Sequence, residues 1–371
     1  MGTTHIRRAI RSLRRLRVPC ELSDRRRAPP VTIPLGNETE PNVILEEDRM
    51  LRIACAWLLA TVAIVLAAPV RAAGSYPDRP IRLLVPFPPG GGTDILARAL
   101  HDKIEAALGA PLIIDNRGGA GGTLGTALAA KAEPDGYTFL FTSASYTFQP
   151  SLYRNLPYQP LRDFKNVTMF ASAPVVMAVH PSLPVYSVKE FVALAQQRPN
   201  EILYASAGVG SNIHMTTELF NYMAKVKLVQ VPYKGGGPAV VGLISGEAQV
   251  IFSTFLSMTP HIKSGRMRAL AVTTKERSPV SPDLPTLHEA GVTGYDKPAW
   301  FGLFAPAGVA ESSINHVYRA AAKVLQNPDV KKRLAVEGAA AVGNPPAEFD
   351  AFVRAEIAEW AKLIQTMNLQ L

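Results

Sequence analysis

Along most of the chain, short apolar runs typical of strands alternate with segments whose apolar positions recur at helical spacing. Residues 81–87 form a short apolar run that predicts a strand. After a glycine-rich loop, Leu96, Leu100, Ile104 and Leu108 recur with helical spacing, and Gly109 ends that helix. Further strands are predicted at 112–114, 137–141, 167–171, 175–179, 202–205, 228–231, 248–252, 267–274 and 300–304, and further helices at 123–132, 187–197, 215–223, 238–244, 311–326, 328–336 and 346–367.

This alternation of strand and helix is typical of parallel α/β folds. The pattern restarts after residue 179, and the C-terminal part is long enough to return to the first half. We therefore expect two lobes, lobe 1 from residues 75–175 and 276–371 and lobe 2 from residues 176–275. Ligands of open α/β sheets bind beyond the carboxyl ends of the strands, so the strand-to-helix loops are the candidate site.

The N-terminal part has a different pattern. Residues 50–73 combine a short cationic start, an apolar run and a small-residue ending near Ala73, which together predict a cleaved secretory signal peptide. The alternative is a retained membrane anchor, because the apolar run is close to the minimum length for a span. Residues 1–49 are rich in arginine and lack apolar periodicity. We interpret them as a non-native or disordered extension ahead of a true start at Met50.

Removal of this leader changes the chemistry of the chain. The net charge of +9 falls to +4, so the basic composition gives little support for a nucleic-acid partner. Cys20 and Cys55, the two cysteines of the sequence, both precede residue 74. The mature chain is therefore expected to have no disulfide and no thiol nucleophile.

Four glycine-rich loops precede predicted helices, at residues 86–94, 116–122, 206–212 and 233–238. Glycine exposes backbone N–H groups, and the start of a helix favours negative charge, so a carboxylate or phosphate is the expected guest. The alternative is that the glycines only form turns, with Thr93 or Asp94 capping the next helix. No loop carries a complete dinucleotide-binding or Walker-type motif, which argues against a nucleotide.

Signatures of enzymes and metal sites are also missing. The sequence has no G-x-S-x-G or H-E-x-x-H motif, and its histidines are scattered singly. His214 follows the third glycine-rich loop, where it either meets a ligand or bonds locally. Lys234 either meets a carboxylate or is simply solvated. We predict no catalytic residues, no metal and no cofactor.

Several sequence segments, in the same order along the chain, resemble those of the Bug family, the solute-binding proteins of tripartite tricarboxylate transporters. The resemblance rests on residues 77–94, 115–122, 134–138, 231–235, 284–291 and 300–308, which span the mature chain in order. It implies a two-lobed type II periplasmic-binding-protein (Venus flytrap) fold. It also implies a small organic acid held between the lobes by backbone N–H groups and water.

The resemblance assigns ligand contacts by position. In lobe 1 these are Phe87, Pro88, Gly90, Gly91, Gly92, Thr93, Asp94, Ser143, Ala144 and Ser145, and in lobe 2 they are Ser206, Gly208, Gly210, Ser211, Asn212, His214, Tyr233, Lys234 and Gly235. The sequence departs from the family pattern at Gly118, where proline is usual, and in residues 245–249. Gln249 replaces a usual aspartate there, and Ser245 a usual glycine.

The expected function is periplasmic capture of a small carboxylate and its delivery to the permease subunits of a tripartite transporter. One alternative is a ligand-sensing co-receptor for a sensor kinase. Another, in a different class, is a secreted hydrolase or transferase that uses His214 with a loop serine. The expected state is a monomer.

Overall fold

The computed structural model describes residue 57 and residues 76–369. The predicted extension, residues 1–49, and all of the predicted leader except Trp57 lie outside the described residues. Among the described residues, no helix has the length and apolar character needed to cross a bilayer.

Lobe 1 is built on a mixed six-stranded sheet with the strand order β11-β4-β10-β3-β1-β2. β1 runs parallel to β2 and β3, whereas β10 is antiparallel to both β3 and β4. The strands are β1 (Ile81–Val85), β2 (Leu112–Asn116), β3 (Thr138–Ser143), β4 (Phe164–Ala173), β10 (Ala299–Pro306) and β11 (Ala340–Ala341).

Lobe 2 is built on a second mixed sheet with the order β7-β6-β8-β5-β9. β6 is parallel to β7 and β8, and β5 runs antiparallel to β8 and β9. The strands are β5 (Val175–Val179), β6 (Leu203–Ser206), β7 (Val229–Pro232), β8 (Val250–Thr254) and β9 (Arg268–Val272).

Helices cover the sheets of both lobes. Gly109 ends the first helix in the left-handed conformation that glycine favours, and Ser187 accepts the Glu190 N–H at the start of the fifth. The helices are α1 (Gly92–Leu108), α2 (Thr123–Ala130), α3 (Ser145–Leu152), α4 (Pro160–Asp163), α5 (Val188–Gln197), α6 (Asn212–Ala224), α7 (Gly236–Ile244), α8 (Phe255–Lys263), α9 (Glu311–Gln326), α10 (Pro328–Val336) and α11 (Pro346–Thr366).

The chain crosses between the lobes twice. β4 and β5 are separated by Pro174 alone, and residues 273–298 lead from β9 back to β10. On either side of Pro174 the strand pairing continues, with Ala173 opposite Ala299 and Val175 opposite Thr254. The two crossings are joined by the buried Thr273, whose hydroxyl accepts the Val175 N–H and donates to the Lys297 carbonyl.

The C-terminal helix α11 returns to lobe 1 and covers its sheet. Phe349 and Trp360 are buried, and their rings contact those of Trp300 and Phe148 respectively. Burial of such large apolar side chains is the main favourable term in folding. The tail therefore completes the core of lobe 1.

The structure differs from the sequence-based expectation in two ways. The sheets are mixed rather than purely parallel, because β5 and β10 follow directly from the crossings and enter each sheet in the antiparallel sense. Helices α3, α4 and α8 were not predicted. α3 and α8 each contain a proline, and the buried residues of α3 are almost continuous, so neither segment shows a clear amphipathic period.

Candidate functional site

A cleft with about 520 Å³ of space lies between the lobes, at the carboxyl ends of their strands. Both lobes contribute to it. Lobe 1 supplies Phe87, Gly91, Gly92, Thr93, Ser143, Ala299 and Phe301, and lobe 2 supplies Ala207, Ser211, Asn212, Ile213, Gly236, Ser253 and Thr254.

Four helices begin at this cleft: α1, α6, α7 and α8. The starts of α1 and α7 nearly touch, since a Cβ on Gly236, the first residue of α7, would lie 3.3 Å from the Cα of Gly91, the residue before α1. The first turn of a helix presents unpaired N–H groups and the positive end of the helix dipole. Four such ends at one cleft form an environment that favours an anion.

Among the described residues that line the cleft, none carries a charged side chain. Its polar groups are hydroxyls and one amide. The Thr93 hydroxyl and the Asn212 amide have no hydrogen-bond partner within the described part of the chain, whereas Ser143 lies 3.3 Å from the Ser145 hydroxyl. Phe87 and Phe301 supply apolar surface. The cleft can therefore hold a small molecule that combines one anionic group with an apolar body.

Asp94 is the acidic residue in the first turn of α1, and its carboxylate is buried behind the loop. It accepts hydrogen bonds from the Gly90 N–H at 3.0 Å, from Arg98 at 3.0 Å and from Asn116 at 2.9 Å. Burial alone would raise the pKa of this carboxyl, but the bonds from Arg98, Gly90 and Asn116 outweigh burial and lower it. Asp94 therefore fixes residues 90–94 as an ionised structural group.

His214 is buried on α6, with 6 % of its surface exposed, and burial lowers its pKa to about 4. Its Nδ1 accepts the Gly210 N–H at 3.2 Å, which places the ring proton of the neutral form on Nε2. The Ser211 hydroxyl accepts the His214 backbone N–H and has no hydrogen bond to the imidazole. His214 therefore holds the 206–212 loop, and it does not form a serine–histidine nucleophile pair.

The loops of the two lobes meet beside the cleft. A Cβ on Gly121 of lobe 1 would lie 2.1 Å from the Val209 carbonyl of lobe 2. From α3, Gln149 donates to the Gly210 carbonyl at 3.3 Å and Tyr153 donates to the Val209 carbonyl at 2.9 Å. The lobes are thus held together by hydrogen bonds as well as by contact.

The structure separates the predicted site residues into three groups. Phe87, Gly91, Gly92, Thr93, Ser143, Ser211 and Asn212 line the cleft. Pro88, Gly90, Asp94, Ala144, Ser145, Gly208, Gly210, His214 and Gly235 lie in the same loops or helix starts without lining it. Ser206, Tyr233 and Lys234 have other surroundings. Whether these residues bind a ligand stays a prediction for each group.

The side chains of the third group either form hydrogen bonds with other residues or are exposed to solvent. The Ser206 hydroxyl accepts from Gln230 at 2.7 Å, and the Tyr233 hydroxyl donates to Glu247 at 2.9 Å. Lys234 is exposed. The interpretation of Lys234 as a carboxylate contact therefore gains no support from its position.

Some cleft residues were not predicted, notably Ser253 and Thr254 at the end of β8 and Ala299 and Phe301 at the start of β10. A signal for the first pair existed. A strand was predicted at residues 248–252, and polar residues directly after a strand are candidates under the rule that ligands bind at carboxyl ends. Phe301 had no such signal, because only the antiparallel placement of β10 brings it to the cleft.

Two of the three departures from the family pattern, Gly118 and Gln249, also have structural counterparts. A Cβ on Gly118 would lie 2.7 Å from the Pro88 Cδ, so the missing side chain lets Pro88 pack against this turn. The Gln249 side chain accepts the Leu203 N–H at 2.7 Å and completes the start of β6. Neither residue lines the cleft. Among the described residues, no group of three or more His, Cys, Asp or Glu could hold a metal ion.

Comparisons with known proteins agree with this geometry. The model of the tripartite tricarboxylate transporter family receptor, TctC, matches residues 96–369. The protein BugT of Bordetella pertussis is 37 % identical over 321 residues, which cover 85 % of this chain and 98 % of the relative.

Two solved structures are similar over most of the chain. The periplasmic binding protein BugD has a TM-score of 0.77 and 32 % identity, with 80 % of this chain and 100 % of that chain covered. Rpa4515 of R. palustris, solved with adipate, has a TM-score of 0.77 and 36 % identity, with 80 % and 100 % covered. The expected resemblance to Bug proteins and the periplasmic-binding-protein fold are confirmed.

These similar proteins are solute-binding proteins and not enzymes, so the expectation of a binding protein is confirmed and the hydrolase alternative is not supported. The chain therefore belongs to the TctC family of solute-binding receptors, as do the Bug proteins.

Proposed function

We propose that this protein is exported to the periplasm, captures a small carboxylate between its two lobes, and delivers it to the membrane subunits of a tripartite transporter. The observation that carries the proposal is the meeting of four helix N-termini at a cleft whose described lining residues have no charged side chain. A similar protein was solved with the dicarboxylate adipate.

The chemistry of capture follows from this lining. Helix-start N–H groups and hydroxyls are fixed dipoles, and they offset part of the cost of removing a carboxylate from water. An acidic side chain in the cleft would repel the ligand, and Asp94, in the first turn of α1, is already paired with Arg98. Closure of the lobes then brings the starts of α1 and α7 to the same anion.

The test is binding by the exported protein, purified from the periplasm of a Gram-negative host that expresses the full reading frame. Calorimetry and thermal melts are recorded with mono-, di- and tricarboxylates, aromatic acids and neutral amides. We expect one-to-one binding of at least one acid without turnover. A ligand at 100 times its Kd stabilises the fold by about 2.7 kcal/mol. Stabilisation by a neutral amide and by no acid would contradict the proposal.

Export and delivery are tested separately. N-terminal sequencing of the periplasmic protein is expected to begin near residue 74, and a product that keeps residues 1–49 would contradict the predicted leader. Deletion of the gene is expected to abolish uptake of the labelled ligand. Normal uptake with loss of ligand-induced transcription would favour the sensor-kinase co-receptor instead.

A further inference from the structure

Two short helices that follow glycine-rich loops expose apolar side chains to solvent. Leu124 and Leu128 of α2 are 55 % and 51 % exposed, and Val241 of α7 is 63 % exposed. Leu124 and Leu128 are four residues apart, so they share one face of their helix. Neither α2 nor α7 contains a charged residue. The outer face of a surface helix normally carries polar and charged side chains, so these two faces call for an explanation.

On lobe 1, the exposed face of α2 continues onto the loop that carries Pro88 and Pro89. A Cβ on Gly119 would lie 2.6 Å from the Leu124 Cδ1, and a Cβ on Gly118 would lie 2.7 Å from the Pro88 Cδ. Gly118 and Pro89 are themselves exposed. Leu124 and the two prolines are therefore parts of one apolar surface, connected through the turn at 118–119.

The same two prolines reach lobe 2. A Cβ on Gly235, which precedes α7, would lie 2.7 Å from the Pro88 Cδ, and a Cβ on Gly237 would lie 3.1 Å from the Pro89 carbonyl oxygen. The exposed face of α7 begins at this contact. The apolar surface therefore crosses from one lobe to the other, and we call it the seam surface: Pro88, Pro89, Leu124, Leu128, Pro238 and Val241.

The seam surface is complete only while the lobes are closed. Pro88 and Pro89 belong to lobe 1, whereas α7 belongs to lobe 2, and they meet beside the same helix starts that close on the ligand. Rotation of the lobes away from each other would separate Val241 from Leu124. A partner that contacts both halves of the surface would therefore bind the closed form and not the open one.

Charged side chains flank the seam surface on both lobes. Arg117 pairs with Asp115 at 2.9 Å, and Lys234 is exposed. The six residues of the seam surface are all apolar, so a partner would gain affinity by burying them and not by forming ion pairs with them. Contacts of that kind are weakened little by salt, unlike those between exposed charges.

Exposed apolar patches with a polar rim mark interaction sites. The chain belongs to a family of transporter receptors, which pass a ligand on only after they have closed around it. Building on the proposed function, we infer that the seam surface docks the closed protein onto an apolar periplasmic face of a membrane subunit of the transporter. A membrane subunit fits better than a second copy of the chain, because a surface shared by both lobes reports ligand-driven closure.

The inference is tested by complementation of the gene deletion with surface variants. Leu124→Lys combined with Leu128→Lys, and separately Val241→Lys, place charges on the seam surface without touching the cleft. We expect both to keep the ligand Kd and the melting temperature of the wild-type protein, and to lower uptake of the labelled ligand at least tenfold. Val336→Lys is the matched control, since Val336 is a 67 % exposed valine on α10, outside the seam surface, and it should support normal uptake.

Photo-crosslinking identifies the occupant. A photoreactive residue at position 124 or 241 is expected to give an adduct with a membrane subunit of the transporter. The adduct should require ligand and should persist at high salt, because closure completes the surface and the contact is apolar. The same residue at position 336 should give no such adduct.

The results separate this inference from the proposed function. Normal uptake by the lysine variants would overturn the inference and leave the proposed function standing. An adduct with a second copy of the chain or with a sensor kinase, or an adduct that forms equally well without ligand, would also overturn it. If the wild-type protein binds none of the acids in the panel, the proposed function fails, and this inference fails with it.

Discussion

The side-chain amide of Gln149, on lobe 1, donates a hydrogen bond to the backbone carbonyl of Gly210, on lobe 2, at 3.3 Å. The same amide donates to the Gly121 carbonyl at 2.9 Å, and its oxygen accepts from the Tyr158 hydroxyl. Gln149 is 1 % exposed. One buried side chain therefore joins the two glycine-rich loops that meet beside the cleft.

Gln149→Leu keeps the size of this side chain but removes its hydrogen bonds. It leaves buried polar groups unpaired, at a cost of about 1–3 kcal/mol, part of which falls on the closed form. We expect ligand affinity to fall roughly 5- to 150-fold, measured by calorimetry with the tightest acid of the panel. Tyr153→Phe, which loses only the bond to Val209, should have a smaller effect. Unchanged affinity in Gln149→Leu would show that these bonds do not stabilise closure.

Gly121→Ala tests closure by steric means. Position 121 has φ of +63°, and a Cβ there would collide with the Val209 carbonyl. Gly109→Ala is the matched control, because Gly109 has φ of +72° but no atom of the described part of the chain within 4 Å of the added Cβ. Both variants should lose about 1 kcal/mol of stability from backbone strain. Only Gly121→Ala should lose ligand affinity, by tenfold or more, and show a larger radius of gyration with ligand present in X-ray scattering.

His214 predicts a dependence of stability on pH. Its pKa is about 4 in the folded protein and 6.5 ordinarily, so between these values the unfolded chain binds a proton that the folded protein does not. The contribution is complete above pH 6.5 and is lost as the pH falls toward 4, amounting to about 3 kcal/mol. Urea unfolding of the wild-type protein and His214→Asn across this range measures it.

His101 is the control for His214, because its pKa is shifted in the opposite direction. Hydrogen bonds that His101 donates to the Asp102 carboxylate and the Leu112 carbonyl raise the pKa of His101, so its contribution is present below the unfolded pKa and lost as the pH rises through the folded value. His101→Asn should leave the loss of stability on the acid side unchanged, whereas His214→Asn should reduce it. Equal slopes for the wild-type protein and His214→Asn would contradict the role of burial.

Asn212→Asp tests the sign of the ligand charge. Asn212 lines the cleft at the first residue of α6, where an aspartate favours the helix through its dipole, so the fold should be retained. The added negative charge should weaken carboxylate binding by a hundredfold or more at low salt and leave binding of an uncharged amide little changed. Equal losses for the acid and the amide would mean that charge is not what the cleft recognises.

The periodicity of apolar residues in the sequence was sufficient to predict most of the helices and strands. β5 and helices such as Glu311–Gln326 were predicted with the bounds that the structure shows, because their apolar positions follow a clear period. Helix Ser145–Leu152 was not, since Tyr146, Thr147, Phe148 and Gln149 are all buried and no face stays polar. The interlobe role of Gln149 follows from that burial and has no signature in the local sequence.

The sequence predicted several of the cleft residues that follow glycine-rich loops and missed cleft residues that have no such loop before them. The starts of α1 and α6 follow glycine-rich loops, and several of their residues line the cleft. Ser253 and Thr254 end the apolar strand β8, and the Thr254 hydroxyl lies beside Gly92, which belongs to a segment 162 positions earlier. No local pattern encodes a contact of that kind.

The single-residue crossing at Pro174 has a consequence for the order of events in binding. Thr254 and Ala299 pair with the two residues that flank Pro174, so they lie nearest the axis about which the lobes would rotate. Residues near an axis move least. On closure, Thr254 and Ala299 at the base of the cleft would therefore stay almost in place, while the starts of α6 and α7 would move toward lobe 1. A ligand would contact Thr254 and Ala299 while the protein is still open, before the starts of α6 and α7 close around it.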